Sequence, residues 1–327
     1  MPSSVHDRPT DQRPRKLVVT LGPASWGSEA DLQRAGATAL RFNASHLVPG
    51  ELVRRLKGAR ERSEVAVSIV DLQGAKMRVG QFAPRAVEPG QTLTLVQEDQ
   101  SSDASIPLPH RQAFEQLEPG DWVSLDDDRL QAKVESVGRL RLTLVLANGG
   151  TLRPRKGFNR ARHPIELVEM TAADREAIDA ALDGGCRRFA LSFVSSPAEC
   201  AWVRNRAPQA QVIAKIERQL ALDSLSEIAE AADELWICRG DLGAQVGWTA
   251  LGAQVARVAP RELGLPVLMA GQVLEHLTAH EQPTRSEICH VHDLLERGYS
   301  GVVLSDETAI GCDPIRATGW AARLLGL

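Results

Sequence analysis

The sequence has no long hydrophobic run and no cluster of charges of one sign. No stretch approaches the ~18 consecutive apolar residues of a membrane-spanning helix. The amino-terminal residues lack the apolar core of a signal peptide. The 38 basic and 42 acidic residues give a net charge of −4 and no basic face for nucleic acid. These absences predict a cytoplasmic protein that binds neither membranes nor nucleic acid and for which small anions remain possible ligands.

Paired cysteines and glycine-rich nucleotide loops are also missing. The five cysteines are scattered without a C-x-x-C pair, which is typical of reduced thiols rather than of a disulfide framework or a structural zinc site. Neither G-x-x-x-x-G-K-[ST] nor G-x-G-x-x-G occurs, so no P-loop or Rossmann site is supported. Cys289, His290 and His292 fall on a predicted helix where adjacent residues face different sides, which favours a structural role over metal binding.

Short β-branched segments alternate with amphipathic helical segments along most of the chain. One of these helices is predicted between an N-cap at Thr171 and a stop at Gly184. Parallel strands need crossover helices, and eight such strands can close on themselves. The pattern therefore predicts an α/β fold, a TIM (β/α)8 barrel. Its strands are predicted at 17–21, 39–43, 65–71, 186–194, 211–216, 234–238, 266–270 and 301–305.

One segment, 81–156, lacks the helical periodicity. Alternating strands separated by E-P-G, D-D-D and N-G-G turns predict an inserted all-β domain after the third strand. Loops at this point lie on the face where barrel active sites form, so the insertion is expected to act as a lid. An insertion without a catalytic role is the alternative. The expected organisation is a flexible tail over 1–15, a barrel over 16–80 and 157–327, and a lid over 81–156.

Polar residues follow most of the predicted strands, where barrel active sites are built. Lys215 and Glu217 are two residues apart and therefore face the same side of a strand. Glu217 and Asp241 could share one hard cation such as Mg²⁺, and Gly240 allows backbone N–H groups to approach a ligand. For any single residue an internal ion pair is the alternative. The other strand-end candidates are Arg41, Asn43, Ser45, His46, Asp71, Lys76 and Arg78.

These motifs together resemble the pyruvate kinase family. The matching stretches are T-L-G-P-A-S from Thr20, R-F-N-A-S-H from Arg41, V-D-L-Q-G-A-K-M-R-V-G from Val70, A-K-I-E from Ala214, R-G-D-L-G from Arg239, P-T-R-S-E from Pro283 and S-D-E-T-A from Ser305. They occur in the order found in the family and cover nearly the whole chain. The resemblance implies a kinase that uses Mg²⁺ or Mn²⁺ to transfer the phosphoryl group of phosphoenolpyruvate to ADP, giving pyruvate and ATP.

The resemblance also implies roles for individual residues, carried over by matching position. Lys215 would stabilise the enolate and the transferring phosphoryl group, with Arg41 clamping the phosphate and Arg78 as a further catalytic cation. Glu217 and Asp241 would hold the metal. The implied substrate-binding residues are Gly240, Asp241, Gly271 and Ser305, and the implied nucleotide-binding residues are Asn43, His46, Arg78 and Lys156. For Lys156, a solvated linker at the base of the lid is the alternative.

The sequence departs from the family pattern at D-L-Q-G-A-K, where the family has D-T-K-G-P-E. Leu72 removes a hydroxyl ligand, and Lys76 replaces a carboxylate with an ammonium group. The resemblance to potassium-independent members implies that Lys76, with Asn43, Ser45 and Asp71, substitutes internally for a monovalent cation. No potassium requirement is therefore expected. Drift in a decaying site is the alternative.

A second departure is Gly271, which stands where the family's A-T-Q motif has a threonine. The lost hydroxyl predicts either weaker turnover, because an unpaired hydrogen-bond partner costs roughly 1 to 3 kcal/mol, or a pocket for a larger 3-substituted enol phosphate. Two other classes of function remain open. One is an oxo-acid decarboxylase or aldolase with metal-enolate chemistry, and the other is a non-catalytic metabolite-binding homologue.

The position at which the sequence stops leads to a last expectation. Pyruvate kinases normally continue into a regulatory α/β domain after the barrel, whereas this sequence ends at Leu327. We therefore expect a short form without the usual sugar-phosphate effector site, and either a homodimer formed through barrel helices or a monomer.

Overall fold

The computed structural model describes residues 13–63, 67–98, 105–126, 129–160 and 165–327. Most of the predicted tail, residues 1–12, and the start of the third predicted strand, residues 65–66, lie outside this part of the chain. Within the described residues, no helix combines the length and apolarity needed to cross a bilayer.

The strands form a closed parallel barrel and a separate, mainly antiparallel sheet. In chain order they are β1 (Lys16–Thr20), β2 (Ala39–Asn43), β3 (Val67–Leu72), β4 (Met77–Arg78), β5 (Arg85–Val87), β6 (Thr92–Val96), β7 (Ile106–Pro107), β8 (Trp122–Leu125), β9 (Leu130–Val137), β10 (Arg141–Leu146), β11 (Gly150–Leu152), β12 (Gly157–Arg160), β13 (Arg188–Leu191), β14 (Gln211–Ile216), β15 (Glu234–Cys238), β16 (Val267–Ala270) and β17 (Gly301–Leu304). Strands β1–β3 and β13–β17 close into the barrel, each pairing with the next and β17 with β1. The predicted TIM barrel is confirmed.

The helices cover the outside of the barrel, with one exception in the insertion. They are α1 (Glu29–Arg34), α2 (Pro49–Arg62), α3 (Arg111–Gln116), α4 (Ala172–Asp183), α5 (Pro197–Arg206), α6 (Gln219–Asp223), α7 (Leu225–Ala231), α8 (Arg239–Val246), α9 (Trp248–Arg257), α10 (Arg285–Glu296), α11 (Asp306–Ala309) and α12 (Pro314–Leu325). The hydroxyl of Thr171 caps α4 by accepting from the Asp174 N–H, and Gly184 follows its last residue. Short 3₁₀ turns lie at Ala44–His46, Pro260–Glu262 and Glu275–Thr278.

The barrel has two apolar layers, one inside it and one beneath the helices. The inner layer is small and includes Val18, Ile69, Ile213, Trp236 and Leu268. The larger outer layer is made by the apolar faces of the helices against the outward-facing strand residues. Side chains of each strand point alternately into the barrel and out towards the helices. Because an apolar layer lies on each side, every barrel strand is buried on both faces. This leaves the strand ends as the places where the barrel presents polar side chains.

The fourth barrel strand is shorter than its predicted range of 186–194. At its start, the N–H of Cys186 donates to the carbonyl oxygen of Ala181 and so still belongs to the turn that ends α4. At its end, Phe193 has a φ of 60°, a left-handed conformation that breaks an extended strand. Both limits are set by local backbone geometry rather than by the apolar pattern.

The insertion between β3 and β13 is built around the seven-stranded sheet β4-β12-β8-β9-β10-β6-β7, with β5 and β11 forming a two-stranded ribbon. Its strands alternate buried and exposed residues over a separate apolar cluster. The helix α3 was not expected in an all-β insertion. Strands β4 and β12 pair with each other and lie outside the range 81–156, so the sheet begins and ends closer to the barrel than the sequence pattern indicates.

Candidate active site

A cavity of about 130 Å³ opens at the carboxyl ends of the barrel strands. Seven residues proposed from the sequence share its wall, because parallel strands bring their carboxyl ends to one rim. They are Arg41, Lys215, Glu217, Gly240, Asp241, Gly271 and Ser305, and they are joined by Trp236, Cys238, Ala270 and Val303.

Asp71 is the centre of the charge network beside this cavity. Its carboxylate accepts from Nε of Arg41 at 2.7 Å, and its two oxygens lie 3.2 and 3.1 Å from Nζ of Lys215. The Ser192 hydroxyl lies 3.1 Å from Asp71 and 2.8 Å from the Lys215 ammonium. The Arg41 guanidinium also donates to the hydroxyl of Thr20 at 2.9 Å. One buried carboxylate therefore orients two cations from different strands.

The network keeps all three groups charged although they are buried. Burial alone would raise the pKa of the Asp71 carboxyl, but the charges of Arg41 and Lys215 hold it below its usual range. Burial would likewise lower the pKa of the Lys215 ammonium, but Asp71 and Glu217 hold it above its usual range. Lys215 is therefore a fixed positive charge at the cavity wall and cannot act as a base near neutral pH.

Glu217 and Asp241 are two carboxylates in different environments on the same wall. Glu217 is almost fully buried, accepts from the Phe193 N–H at 2.8 Å, and lies 3.2 Å from Nζ of Lys215. Burial and the negative charge of Asp241 raise the pKa of Glu217. For Asp241, burial would raise the pKa, but Lys76 keeps it below its usual range. The mutual repulsion of the two carboxylates favours a cation shared between them.

The donor set of this pair fits a hard divalent cation. Within the described residues, no group of three or more His, Cys, Asp or Glu side chains is placed to hold a metal ion. A cation at Glu217 and Asp241 would therefore have two carboxylate ligands and take its remaining oxygens from water or substrate. Mg²⁺ is commonly held in this way because it gives up its hydration shell reluctantly. The residues present fit Mg²⁺ or Mn²⁺.

Lys76 is bound to Asp241 rather than to the residues with which the sequence grouped it. Its ammonium donates to both carboxylate oxygens of Asp241, at 2.6 and 2.8 Å. The charge of Asp71 is matched by other cations, and the side chain of Asn43 accepts from the backbone N–H of Ser45, where it caps a 3₁₀ turn. The structure thus does not join Lys76 by a hydrogen bond to Asn43, Ser45 or Asp71.

The loop that carries Lys76 is held by the amino terminus of α4. The buried carboxylate of Asp174 accepts from the backbone N–H groups of Gln73 and Gly74 at 2.9 and 3.0 Å. Gly74 has a φ of 57°, and a Cβ there would lie only 2.0 Å from the carbonyl oxygen of Ser192. Only glycine allows this close approach. The start of the insertion is therefore fixed to the barrel just before Lys76.

Gly271 has a conformational reason to be glycine. It follows β16 with a φ of 80°, and the next residue, Gln272, is also left-handed with a φ of 54°. A Cβ at Gly271 would lie 3.3 Å from the backbone nitrogen of Gly240. Arg239 holds the turn by donating to the carbonyl oxygens of Gly271 and Gln272. A side chain at Gly271 would therefore be strained in this backbone conformation.

A second cavity, of about 670 Å³, lies between the barrel mouth and the insertion. His46, Arg78 and Arg155 are among its lining residues. Burial and then the charge of Arg78 lower the pKa of His46, with a smaller effect from Lys156. Three of the four predicted nucleotide-binding residues, His46, Arg78 and Lys156, are therefore close to one another, and Arg78 and Lys156 act on His46 by charge. The fourth, Asn43, has the local capping role described above.

Thr20, Ser192 and Cys238 are among the residues at the site that were not proposed from the sequence. Thr20 is the last residue of the first barrel strand, and Ser192 directly follows the fourth. A search of the polar residues at the end of every predicted strand would have found both. Cys238 lies at the end of β15, where burial raises its thiol pKa well above the usual value. It behaves as a neutral apolar side chain, and nothing in the sequence distinguishes it from other strand residues.

A closed eight-stranded barrel with cations and carboxylates at one rim defines a TIM-barrel enzyme. The family model for the pyruvate kinase barrel domain matches residues 12–318. The chain is 37% identical over 325 residues to a pyruvate kinase of Methylorubrum extorquens, covering 95% of this chain and 68% of that protein. It is 32% identical over 326 residues to a pyruvate kinase of Aeropyrum pernix, covering 95% and 70% of the two chains.

A solved structure gives the same result. The crystal structure of pyruvate kinase from Pyrobaculum aerophilum matches with a TM-score of 0.82 and 28% identity, covering 96% of this chain and 74% of that one. The chain belongs to the pyruvate kinase family, as its motifs indicated. It is an enzyme of the pyruvate kinase type.

The substitution Asp71→Asn should strongly destabilise the barrel, because it leaves Arg41 and Lys215 buried without their anionic partner. Breaking a buried ion pair costs roughly 3 to 5 kcal/mol, and we expect a loss of this size in the free energy of unfolding by urea at pH 7. The folded-state pKa of Asp71 is depressed, so its contribution is complete above about pH 4 and is lost as the pH falls through the folded pKa. The unfolding free energies of the wild type and Asp71→Asn should therefore become similar only in acid.

The matched control is Asp183→Asn. Asp183 is exposed and lies 3.5 Å from Lys57 at the surface. Losing such a pair should cost at most about 1 kcal/mol. Equal stability of wild type and Asp71→Asn at pH 7 would refute the central role of Asp71.

Proposed function

We propose that the protein is a cytoplasmic kinase that transfers the phosphoryl group of phosphoenolpyruvate to ADP with Mg²⁺ or Mn²⁺, giving pyruvate and ATP. The observation that carries the proposal is the single cavity that contains the Lys215 ammonium, the Arg41 guanidinium and the carboxylates of Glu217 and Asp241. Phosphoryl transfer depends mainly on positioning and on positive charge around the equatorial oxygens. The cavity provides both.

Lys215 and Arg41 supply fixed positive charge to the substrate. As the phosphorus–oxygen bond to the enol oxygen breaks, negative charge develops on that oxygen and on the transferring group. The Lys215 ammonium is held in place by Asp71, Ser192 and Glu217 and does not have to reorganise to meet this charge. Arg41 is held in the same way and clamps the phosphate.

Glu217 and Asp241 would hold the divalent cation, which would supply Lewis-acid charge to oxygens of the substrate. The first turn of α8 contains Gly240 and Asp241 and borders the cavity. Unpaired backbone N–H groups at a helix start favour an anionic group. In this proposal they bind the carboxylate of phosphoenolpyruvate, and Ser305 contributes from the end of β17.

The nucleotide occupies the second cavity, where Arg78 attracts its phosphates, with Lys156 close by and the His46 imidazole at the cavity wall. The same cavity is also bordered by His110 and Arg111 of the insertion. A ligand there would touch both parts of the molecule. This supports a role for the insertion, over about 81–156, as a lid that covers the nucleotide.

The alternatives of a decarboxylase, an aldolase or a non-catalytic binding protein gain no specific support. The altered residue that motivated them, Gly271, has a backbone explanation. A binding protein would also have no need for a buried ammonium fixed beside two metal-binding carboxylates.

The substitution Lys215→Met should abolish most of the activity. The change removes a buried charge aimed at the transition state, and such charges contribute about 10²- to 10³-fold or more to the rate. The measurement is pyruvate formation from phosphoenolpyruvate, ADP and Mg²⁺ in a coupled assay. Lys133→Met, at an exposed position of β9, is the control and should retain full activity. Wild-type protein that makes no more pyruvate than Lys215→Met would exclude the proposed reaction.

The wild-type enzyme should not need potassium. The Lys76 ammonium stands where the family pattern has a carboxylate and already supplies a positive charge at the barrel rim, next to Asp241. Activity in a tetramethylammonium buffer should therefore lie within about twofold of that with added KCl, since each protein cation reduces the charge left to attract an ion. Lys76→Glu restores the acidic residue of the family pattern and should become potassium-stimulated. A strong potassium requirement in the wild type would contradict this proposal.

Mg-ADP should slow hydrogen exchange where the insertion joins the barrel. Closure over the nucleotide excludes water and strengthens the backbone pairing near the ligand. We expect protection of the amides of β4 and β12, measured by mass spectrometry. The barrel helix α12 is the internal reference. Unchanged exchange in β4 and β12 with saturating Mg-ADP would count against a lid.

A further inference from the structure

The strongest feature that the proposed reaction does not explain is the ion pair between Lys76 and Asp241. Both oxygens of the Asp241 carboxylate accept from the Lys76 ammonium, at 2.6 and 2.8 Å. The two side chains are 15% and 24% exposed, so the pair is partly shielded from water. Asp241 is also one of the two carboxylates that fit a divalent cation. The ammonium and the cation thus require the same oxygens.

The two cations cannot share Asp241 in this geometry. A divalent cation at a carboxylate oxygen would stand only a few ångströms from the ammonium. Like charges at that separation repel strongly in a partly buried site. We propose that Lys76 is an internal competitor for the divalent cation: its ammonium occupies Asp241 in the metal-free protein and leaves it when the cation binds.

The surroundings of Lys76 allow it to leave, in contrast to those of Lys215. Lys215 contacts Asp71, Ser192 and Glu217 and is almost fully buried. The Lys76 ammonium has Asp241 as its hydrogen-bonding partner, and it lies 5.6 Å from the ring centre of Phe193. A cation over an aromatic face retains part of its stabilisation without a carboxylate. The long, flexible lysine stem can make this move without a change in the barrel.

The position of Lys76 links this exchange to the insertion. Lys76 directly precedes β4, the first strand of the inserted sheet, whereas Asp241 lies in the first turn of α8 on the barrel. The ion pair therefore ties the start of the insertion to the metal-binding rim. Binding of the cation releases this tie. The inference rests on the proposed function only through the assignment of Glu217 and Asp241 as metal ligands.

The test is binding of Mn²⁺ alone to the full chain, without phosphoenolpyruvate or nucleotide. Free Mn²⁺ is measured by electron paramagnetic resonance during titration. Lys76→Met removes the competitor and should lower the dissociation constant on the order of tenfold, the factor that corresponds to about 1.4 kcal/mol. Lys76→Gln, which keeps a polar end without charge, is the second variant if the first does not fold. Unchanged or weaker Mn²⁺ binding by the folded variant overturns the proposal.

Two further variants separate competition from a general charge effect and from failure of the metal site. Arg78 lies near Asp241 and acts on its pKa by charge, without a hydrogen bond to it. Arg78→Met should therefore change the dissociation constant by less than about twofold, because it removes charge but frees no ligand oxygen. An equal gain for Arg78→Met and Lys76→Met would overturn the proposal. Asp241→Asn should lose the Mn²⁺ site, and wild-type affinity in that variant would instead refute the proposed metal ligands.

Discussion

The arrangement of the active site depends on one buried carboxylate, Asp71 at the end of β3. It lies between Arg41 on β2 and Lys215 on β14, two cations that would repel each other in a region with little water. By holding both, it allows positive charge to be concentrated at the cavity wall without an exposed basic surface. The near-neutral composition of the chain is therefore compatible with two cations fixed at the cavity wall, because the balancing negative charge is inside the barrel rim.

Much of the fold follows from the sequence because a parallel barrel imposes a simple pattern. Strands buried on both faces read as short apolar runs, and the helices between them show one apolar face. Strands β2, β14 and β15 begin and end where the pattern places them. The predicted strand boundaries are wrong where a single backbone angle ends the strand, as at Phe193. They are also wrong where a strand of only two residues pairs with a distant one, as in β4. Such short strands carry no periodicity of their own.

The candidate site is predictable to the extent that strand ends converge in space. This rule brings Arg41, Lys215 and Glu217 into one cavity without knowledge of their contacts. The rule does not predict which charged side chains form ion pairs, because that depends on how far each side chain extends across the barrel rim. Lys76 and Asp241 are 165 residues apart in sequence, and only the path of the loop after Gly74 decides that the ammonium reaches Asp241 rather than Asp71. Family resemblance, which compares positions one by one, could not supply that contact.

The adjacent pairing of β4 and β12 also bears on how such a protein could have arisen. These strands are the entry to and the exit from the insertion, and they run side by side with Met77 opposite Phe158. A segment whose two ends meet in this way can be gained, lost or exchanged as a module without altering the path of the barrel chain. The apolar cluster of the insertion is separate from that of the barrel, so neither core has to be redesigned for the other. Residues of the insertion that face away from the barrel could therefore change without repacking the barrel core.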